Sequence, residues 1–215
     1  MTPRLHNYWR SSASWRVRIA LNLKGLSWEY AAVHLVRDGG DQHRDAFRSL
    51  NPLGQVPVLE LEDEGRVVHL AQSMAILEYI EERWPEPALL PADRVGRARA
   101  RMLAEMVNAG IQPLQNLSVT QRLQAMGVDE LAFVRHFVGR GMAALEASAG
   151  DGPFFCGARP GLAECALVPQ MYSCRRFGVP VDVYPRLVAI EARCVAIPAF
   201  AAAHPDRQPD AVVPV

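Results

Sequence analysis

The sequence predicts a small α/β domain of order βαβαββα followed by an all-helical domain. Three observations carry this. Over residues 1–84, short aromatic and β-branched runs alternate with segments of helical periodicity. A proline-rich stretch, Pro85-Glu86-Pro87-Ala88-Leu89-Leu90-Pro91, then cannot continue a helix. Beyond it the strand-like runs cease and apolar residues recur at helical spacing. The expected boundaries are 1–84 for the α/β domain, 85–93 for a linker and 94–215 for the helical domain.

Each element has a local reason. Leu5 to Trp9 is short and aromatic-rich, so it reads as a strand. Val17, Ala20, Leu21 and Lys24 fall at helical spacing, and Gly25 stops that helix. Trp28 to Leu35 reads as a second strand, and Arg44 to Leu50 as a short helix ending at Asn51-Pro52. Val56 to Leu61 and Arg66 to Leu70 form a hairpin around Glu62-Asp63-Glu64-Gly65. Ser73 opens a helix whose Ile76, Leu77, Ile80 and Trp84 make an apolar stripe. A strand–helix–strand start implies a parallel pair, and the hairpin adds an antiparallel edge. In the second domain, Leu131, Val134, Val138, Met142 and Leu145 share one helix face. Gly161 and Glu164 open another helix as cap and third residue. Pro185 to Ala196 and Pro198 to Ala203 read as two more.

Composition excludes several classes. Lys+Arg and Asp+Glu both total 23 in 215 residues, so no long-range field favours nucleic acid or an anionic membrane. No run approaches the roughly 18 apolar residues of a membrane span, and the N-terminus lacks the apolar core of a secretion signal. Cys156, Cys165, Cys174 and Cys194 form no C-x-x-C pair, and no His pattern matches a metal site. They read as reduced thiols of a cytoplasmic protein.

Three segments can carry chemistry. Arg10-Ser11-Ser12-Ala13-Ser14-Trp15-Arg16-Val17-Arg18 spans a strand end and a helix start, where unpaired N–H groups carry partial positive charge. Its serines serve either to cap the helix or to bind an anion. In Gln55-Val56-Pro57, a cis bond would turn the preceding backbone outward to pair with a peptide-like ligand; a trans edge-strand proline is the alternative. Gln72-Ser73 precedes a second helix, either as its cap or as a carboxylate site.

In order along the chain stand S-S-x-S-W-R-V-R-I-A-L-x-L-K-G from Ser11, D-G-G from Asp38 and N-P-x-x-x-V-P-x-L from Asn51. Q-S-x-A-I-x-E-Y-I-E-E from Gln72, I-Q-P-L-Q-N-L-S from Ile111, L-V-P-Q from Leu167 and R-Q-P-D from Arg207 follow. Together, from about Leu5 to Asp210, they resemble the zeta-class glutathione transferases. The resemblance implies a thioredoxin-like N-terminal domain, a helical C-terminal domain and a homodimer.

It also implies residue roles. Ser11, Ser12, Ala13, Ser14, Trp15 and Arg16 would contact glutathione, with Ser11 donating to its sulfur. Gln42 is a further contact. Val56, before Pro57, would pair with the cysteinyl backbone, and Gln72 and Ser73 with the γ-glutamyl end. Gln112, Asn116, Leu117 and Ser118 match positions lining the site. Arg176 is suited to a substrate carboxylate. Arg10 and Arg16, and more weakly Arg18, would stabilise negative charge on the substrate; Arg16 and Arg18 serve equally well as solvated or ion-paired helix charges.

The implied reaction is cis–trans isomerisation of maleylacetoacetate, as in aromatic amino acid breakdown, with the glutathione thiolate adding to the cis double bond and leaving after rotation. Maleylpyruvate isomerisation, dehalogenation of small α-halo acids, and partner binding without catalysis are the alternatives. Ala13 stands where the family often has Cys, so glutathione would supply the only sulfur. A thiol–disulfide oxidoreductase is disfavoured because residues 1–84 contain no cysteine.

Overall fold

The computed structural model describes residues 1–212. The chain divides into two compact units, one of Met1–Ala88 with the segment from Pro198 onward, the other Leu89–Ile197.

The first unit is built on a four-stranded sheet in the order β2-β1-β3-β4. Strand β1 (Arg4–Asn7) leads through a turn into helix α1 (Ser12–Leu23), and β2 (Glu29–Ala32) returns parallel to β1. The strands are shorter than the aromatic runs predict: Tyr8 and Trp9 lie beyond β1 in the turn, and Trp28 precedes β2, its indole N–H bonded to Asn22 Oδ1 at 3.2 Å. Two 3-10 turns, Arg37–Gly39 and Asp41–His43, precede the single-turn helix α2 (Asp45–Arg48). Strands β3 (Val58–Asp63) and β4 (Arg66–Ala71) form the antiparallel hairpin, and β3 pairs antiparallel with β1. Glu62 and Asp63 continue the strand where a turn is expected, because the reversal needs only Glu64 and Gly65. Both take positive φ, 48° and 75°, the two-residue geometry whose twist matches the strands. Helix α3 (Ser73–Arg83) packs on α1; its buried Ile76, Leu77 and Ile80 belong to the predicted stripe, whereas Trp84 follows the helix as its C-cap.

The second unit is helical: α4 (Arg94–Asn108), α5 (Leu117–Ala125), α6 (Glu130–Ser148), α7 (Leu162–Phe177) and α8 (Pro185–Val195). Val134, Val138, Met142 and Leu145 are the buried face of α6, as the spacing predicts; Leu131, in the first turn, is 40% exposed. Helix α7 is the core helix, buried along most of its length. The buried Glu164 carboxylate accepts from the N–H groups of Gly161 and Phe155, both at 2.7 Å, and so closes its N-terminus.

The segment from Pro198, expected with the helical domain, packs in the first unit. It comprises helix α9 (Pro198–Ala202) and a 3-10 turn, Pro205–Arg207. Asn22 Nδ2 donates to Ala199 O at 3.0 Å, Arg18 Nε donates to Ala203 O at 3.2 Å, and the His204 ring meets Trp15 edge-on. Hydrogen bonds from α1 to carbonyls 177 and 185 positions away decide this placement, and no local periodicity encodes them. Among the described residues, no helix is long and apolar enough to cross a membrane, and no cluster of His, Cys, Asp and Glu could hold a metal ion.

Candidate active site

The turn between β1 and α1 carries the first of the predicted site segments. Ser11 is the N-cap of α1, with extended backbone angles, and its Oγ accepts from the Ser14 N–H at 3.2 Å. Capping and ligand binding are therefore compatible. A serine hydroxyl offers two acceptor lone pairs and one proton, so the oxygen can close the helix while the proton remains to donate. Ser11, Ser12 and Ala13 are half-buried at this end of the helix. Ser14, Trp15 and Arg16 are buried at 0%, 3% and 0% exposure, so their side chains face the core. Arg10 is half-buried and its guanidinium lies over the Trp9 ring at 5.3 Å.

Arg16 links this turn to the third predicted segment. Its Nη1 donates to Ser73 Oγ at 3.1 Å, and Ser73 is the first residue of α3. The starting turns of α1 and α3 are thereby joined through a buried hydrogen bond. Gln72, exposed, precedes α3 with φ of 70° and makes no side-chain cap. A non-glycine residue with positive φ is strained by roughly 1–3 kcal/mol and often marks a functional position. It stands at the N-terminus of α3, an end of a helix that suits an anionic group.

The Val56–Pro57 bond is cis. Val56 lies just before the first paired residue of β3, and its side chain packs against the cluster of Val33, Phe47 and Val58. Gln42 is buried, its Nε2 donating to Leu35 O at 3.1 Å. Gly40 makes room for it: φ is 93°, and a Cβ there would lie 2.5 Å from the Gln42 amide. The side chain thus stitches the loop between β2 and α2, while no bond to its Oε1 is found among the described residues.

Arg18, read as a candidate for substrate charge, is instead scaffold. It is fully buried and donates to Asn7 Oδ1 (2.9 Å), Tyr8 O (3.3 Å), Trp9 O (2.8 Å) and Ala203 O (3.2 Å). Burial pulls its pKa down to about 10, opposed by the nearby Tyr30 and Asp210, so it remains a cation at neutral pH. Sequence reasoning assigned no role to Asp210 or Tyr30. Asp210 Oδ2 accepts from the Trp9 N–H at 3.2 Å, and its other oxygen accepts from the Tyr30 hydroxyl. Burial first, then that bond, raises the Tyr30 pKa well above the ordinary tyrosine range, which keeps the hydroxyl a donor. The only sequence signal was the R-Q-P-D run itself.

In the second unit, the predicted Gln112 and Asn116 meet: Gln112 Nε2 donates to Asn116 Oδ1 at 2.5 Å. Asn116 is the N-cap position of α5 without capping by its side chain, and Leu117 and Ser118, the first residues of that helix, are exposed. Between them, the buried Gln115 exchanges two hydrogen bonds with Gln170 of α7, at 2.9 and 3.1 Å. That pair ties the I-Q-P-L-Q-N-L-S run to the L-V-P-Q run. Arg176 is exposed near the end of α7, its guanidinium 4.6 Å from the Phe177 ring centroid.

Residues 10–83 match the family described as glutathione S-transferase, N-terminal domain. The chain is 48% identical over 210 residues to a maleylacetoacetate isomerase of Pseudomonas aeruginosa, covering 96% of this chain and 98% of that one. A maleyl pyruvate isomerase structure, described as a bacterial glutathione transferase of the zeta class, superposes with TM-score 0.90 at 42% identity over 97% of this chain and 100% of the other. The chain belongs to the zeta-class glutathione transferases.

A further similar structure is the maleylacetoacetate isomerase of Anaeromyxobacter dehalogenans, solved with glutathione in its active site. It is 52% identical with TM-score 0.90 and covers 98% of both chains. A second structure of that protein, 51% identical with TM-score 0.90 over 99% of this chain and 95% of the other, holds dicarboxyethyl glutathione and citrate there. The transferase fold expected from the sequence is therefore the fold observed, with its mixed sheet and helical domain.

Proposed function

We propose that this chain catalyses the glutathione-dependent cis–trans isomerisation of maleylacetoacetate to fumarylacetoacetate. The observation that carries the reading is the Ser11 hydroxyl, which caps α1 through its oxygen and retains a proton to donate. The relatives' names support the substrate class. Dicarboxyethyl glutathione, bound by one of them, is what thiol addition across the double bond of a cis-butenedioate would give.

The residues present fit glutathione. An ordinary thiol ionises near pH 8.5, so only a few per cent is thiolate at neutral pH. When bound, glutathione supplies a thiolate that adds to the double bond, permits rotation about the resulting single bond and departs as the trans isomer forms. Ser11 donates to the anion, and the N-terminus of α1 adds partial positive charge, as for reactive protein cysteines. Lowering the thiol pKa by about two units corresponds to roughly 2.7 kcal/mol of preference for the anion. Ser12 and Ala13 lie half-buried in the same first turn. Gln72 and Ser73 stand at the start of α3 to receive a carboxylate, and Val56 offers backbone to a peptide-like chain. Arg10 and Arg176 carry exposed or half-exposed guanidinium groups suited to carboxylates and enolate charge. Arg16 holds the start of α3 through Ser73. Gln42 contributes through its loop, and Gln112, Asn116, Leu117 and Ser118 are the helical unit's own candidates.

Maleylpyruvate is the second reading, favoured by the 42% identical maleyl pyruvate isomerase. The protein is assigned to the cytoplasm, supported by its reduced cysteines, Cys156, Cys165, Cys174 and Cys194, and to a homodimer, which sedimentation of the purified protein tests. The deciding experiment follows glutathione-dependent loss of maleylacetoacetate and of maleylpyruvate. Faster turnover of maleylacetoacetate supports the reading. Turnover of neither, with no retention on immobilised glutathione, sinks it in favour of a partner-binding protein.

A further inference from the structure

The turn from Tyr8 to Ser11 lies beyond the last paired residue of β1, so no strand ladder holds it. Its backbone groups nevertheless have partners. Ser11 N–H donates to Tyr8 O at 3.0 Å. The Trp9 peptide is gripped on both sides: its C=O accepts from Arg18 Nη2 at 2.8 Å, and its N–H donates to Asp210 Oδ2 at 3.2 Å. The Asp210 carboxylate is itself seated by the Tyr30 hydroxyl from β2. Among the described residues, Tyr30 and Arg18 from α1 interact with that carboxylate, and Tyr8 in the turn acts on Tyr30.

We propose that Asp210 is a positioning residue for the reaction: by accepting from the Trp9 N–H it fixes the turn that aims the Ser11 hydroxyl. This rests on the reading of Ser11 given above. The physical reason is the steep geometry of hydrogen bonds, which weaken quickly with misalignment and beyond about 3.2 Å. A donor that drifts by a fraction of an ångström loses more of its hold on an anionic sulfur than on a neutral thiol, because charge-assisted bonds are the stronger ones. Misplacement then lowers the reactive fraction and leaves the binding of glutathione nearly intact. An aspartate 201 positions from Trp9 thereby enters the chemistry without touching substrate.

The test follows ionisation of the bound glutathione thiol against pH, through its ultraviolet thiolate band, with kcat, KM and the unfolding midpoint measured on the same preparations. Asp210→Ala is expected to move that ionisation to higher pH and to lower kcat at neutral pH by about tenfold. Activity should recover as the pH is raised, and KM for glutathione should change far less than kcat. Asp210→Asn, which keeps an acceptor oxygen, should restore most of the loss. The double variant Ser11→Ala/Asp210→Ala should ionise no less readily than Ser11→Ala alone. A folded Asp210→Ala protein that titrates like the parent overturns the proposal, whatever its melting temperature, as does additivity in the double variant. If Asp210→Ala does not fold, Tyr30→Phe carries the test with a smaller shift in the same direction, and an unchanged titration there overturns it. Parent-like ionisation in Ser11→Ala is a different failure, because it removes the reading of Ser11 on which this rests.

Discussion

Arg16 and Ser73, 57 positions apart, meet through a 3.1 Å hydrogen bond that joins the starting turns of α1 and α3. Both side chains are buried, at 0% and 4% exposure. A buried guanidinium that loses an acceptor retains its desolvation cost, so Ser73→Ala is expected to cost about 1–3 kcal/mol in urea unfolding. In a cycle with Arg16→Met, the double variant should be less destabilised than the sum of the two. Additivity within about 0.5 kcal/mol would show that the two helix starts are held independently. Retention on immobilised glutathione should fall in each single variant.

Ser11 has two duties that substitution can separate. Ser11→Ala removes the cap and the donor, so stability should drop by about 1 kcal/mol and isomerisation at least about tenfold. Ser11→Asp keeps a cap of equal rank with no proton to donate; its melting temperature should match the parent while its rate stays low. A fully active Ser11→Asp protein assigns the sulfur another donor. Ser14→Ala is the control. Its buried hydroxyl has no hydrogen-bond partner among the described residues, so the variant should keep its rate and gain about 0.5 kcal/mol from helix propensity.

At Gln72, strain and binding are set against each other. Its φ of 70° suits glycine. Gln72→Gly should therefore stabilise the protein by something on the order of 1 kcal/mol and weaken glutathione binding in calorimetry. An unchanged dissociation constant would take Gln72 out of the ligand set.

His204 predicts a pH response. Its Nδ1 accepts from the Asp206 N–H at 3.3 Å, and burial lowers its pKa below the ordinary 6.5, against the pull of Asp206. The folded state then binds fewer protons than the unfolded chain between the lowered value and 6.5. Stability rises with pH through that window, is complete above it, and is lost as the solution is acidified through it. Melting temperatures measured from pH 7 downward should fall less steeply in His204→Asn, whose amide oxygen can replace the acceptor. Equal slopes would show that other groups govern the acid limb.

Local rules made much of the fold legible. Val134, Val138, Met142 and Leu145 recur at helical spacing and are the buried face of α6. The hairpin needed only two strand runs and a glycine, though its turn is tighter than expected because Glu64 tolerates positive φ. Ser11 and Ser73 were readable as helix starts, since caps depend on neighbours a few residues away. Arg18 reads from the sequence as either a substrate cation or a helix charge: its spacing on α1 is that of any helix arginine, and only its acceptors in the turn and at Ala203 reveal a scaffold residue.

The amino-acid sequence by itself determined the order of elements, the helix starts and the family's ordered motifs, because periodicity, capping and turn chemistry act within a few residues. Only the tertiary structure decided where the chain's end goes and what holds the reactive turn. The segment from Pro198 joins the first unit, and Asp210 reaches the Trp9 peptide. These are contacts between residues some 200 positions apart, formed because buried polar backbone must find partners wherever the fold brings them, and no local pattern records that choice.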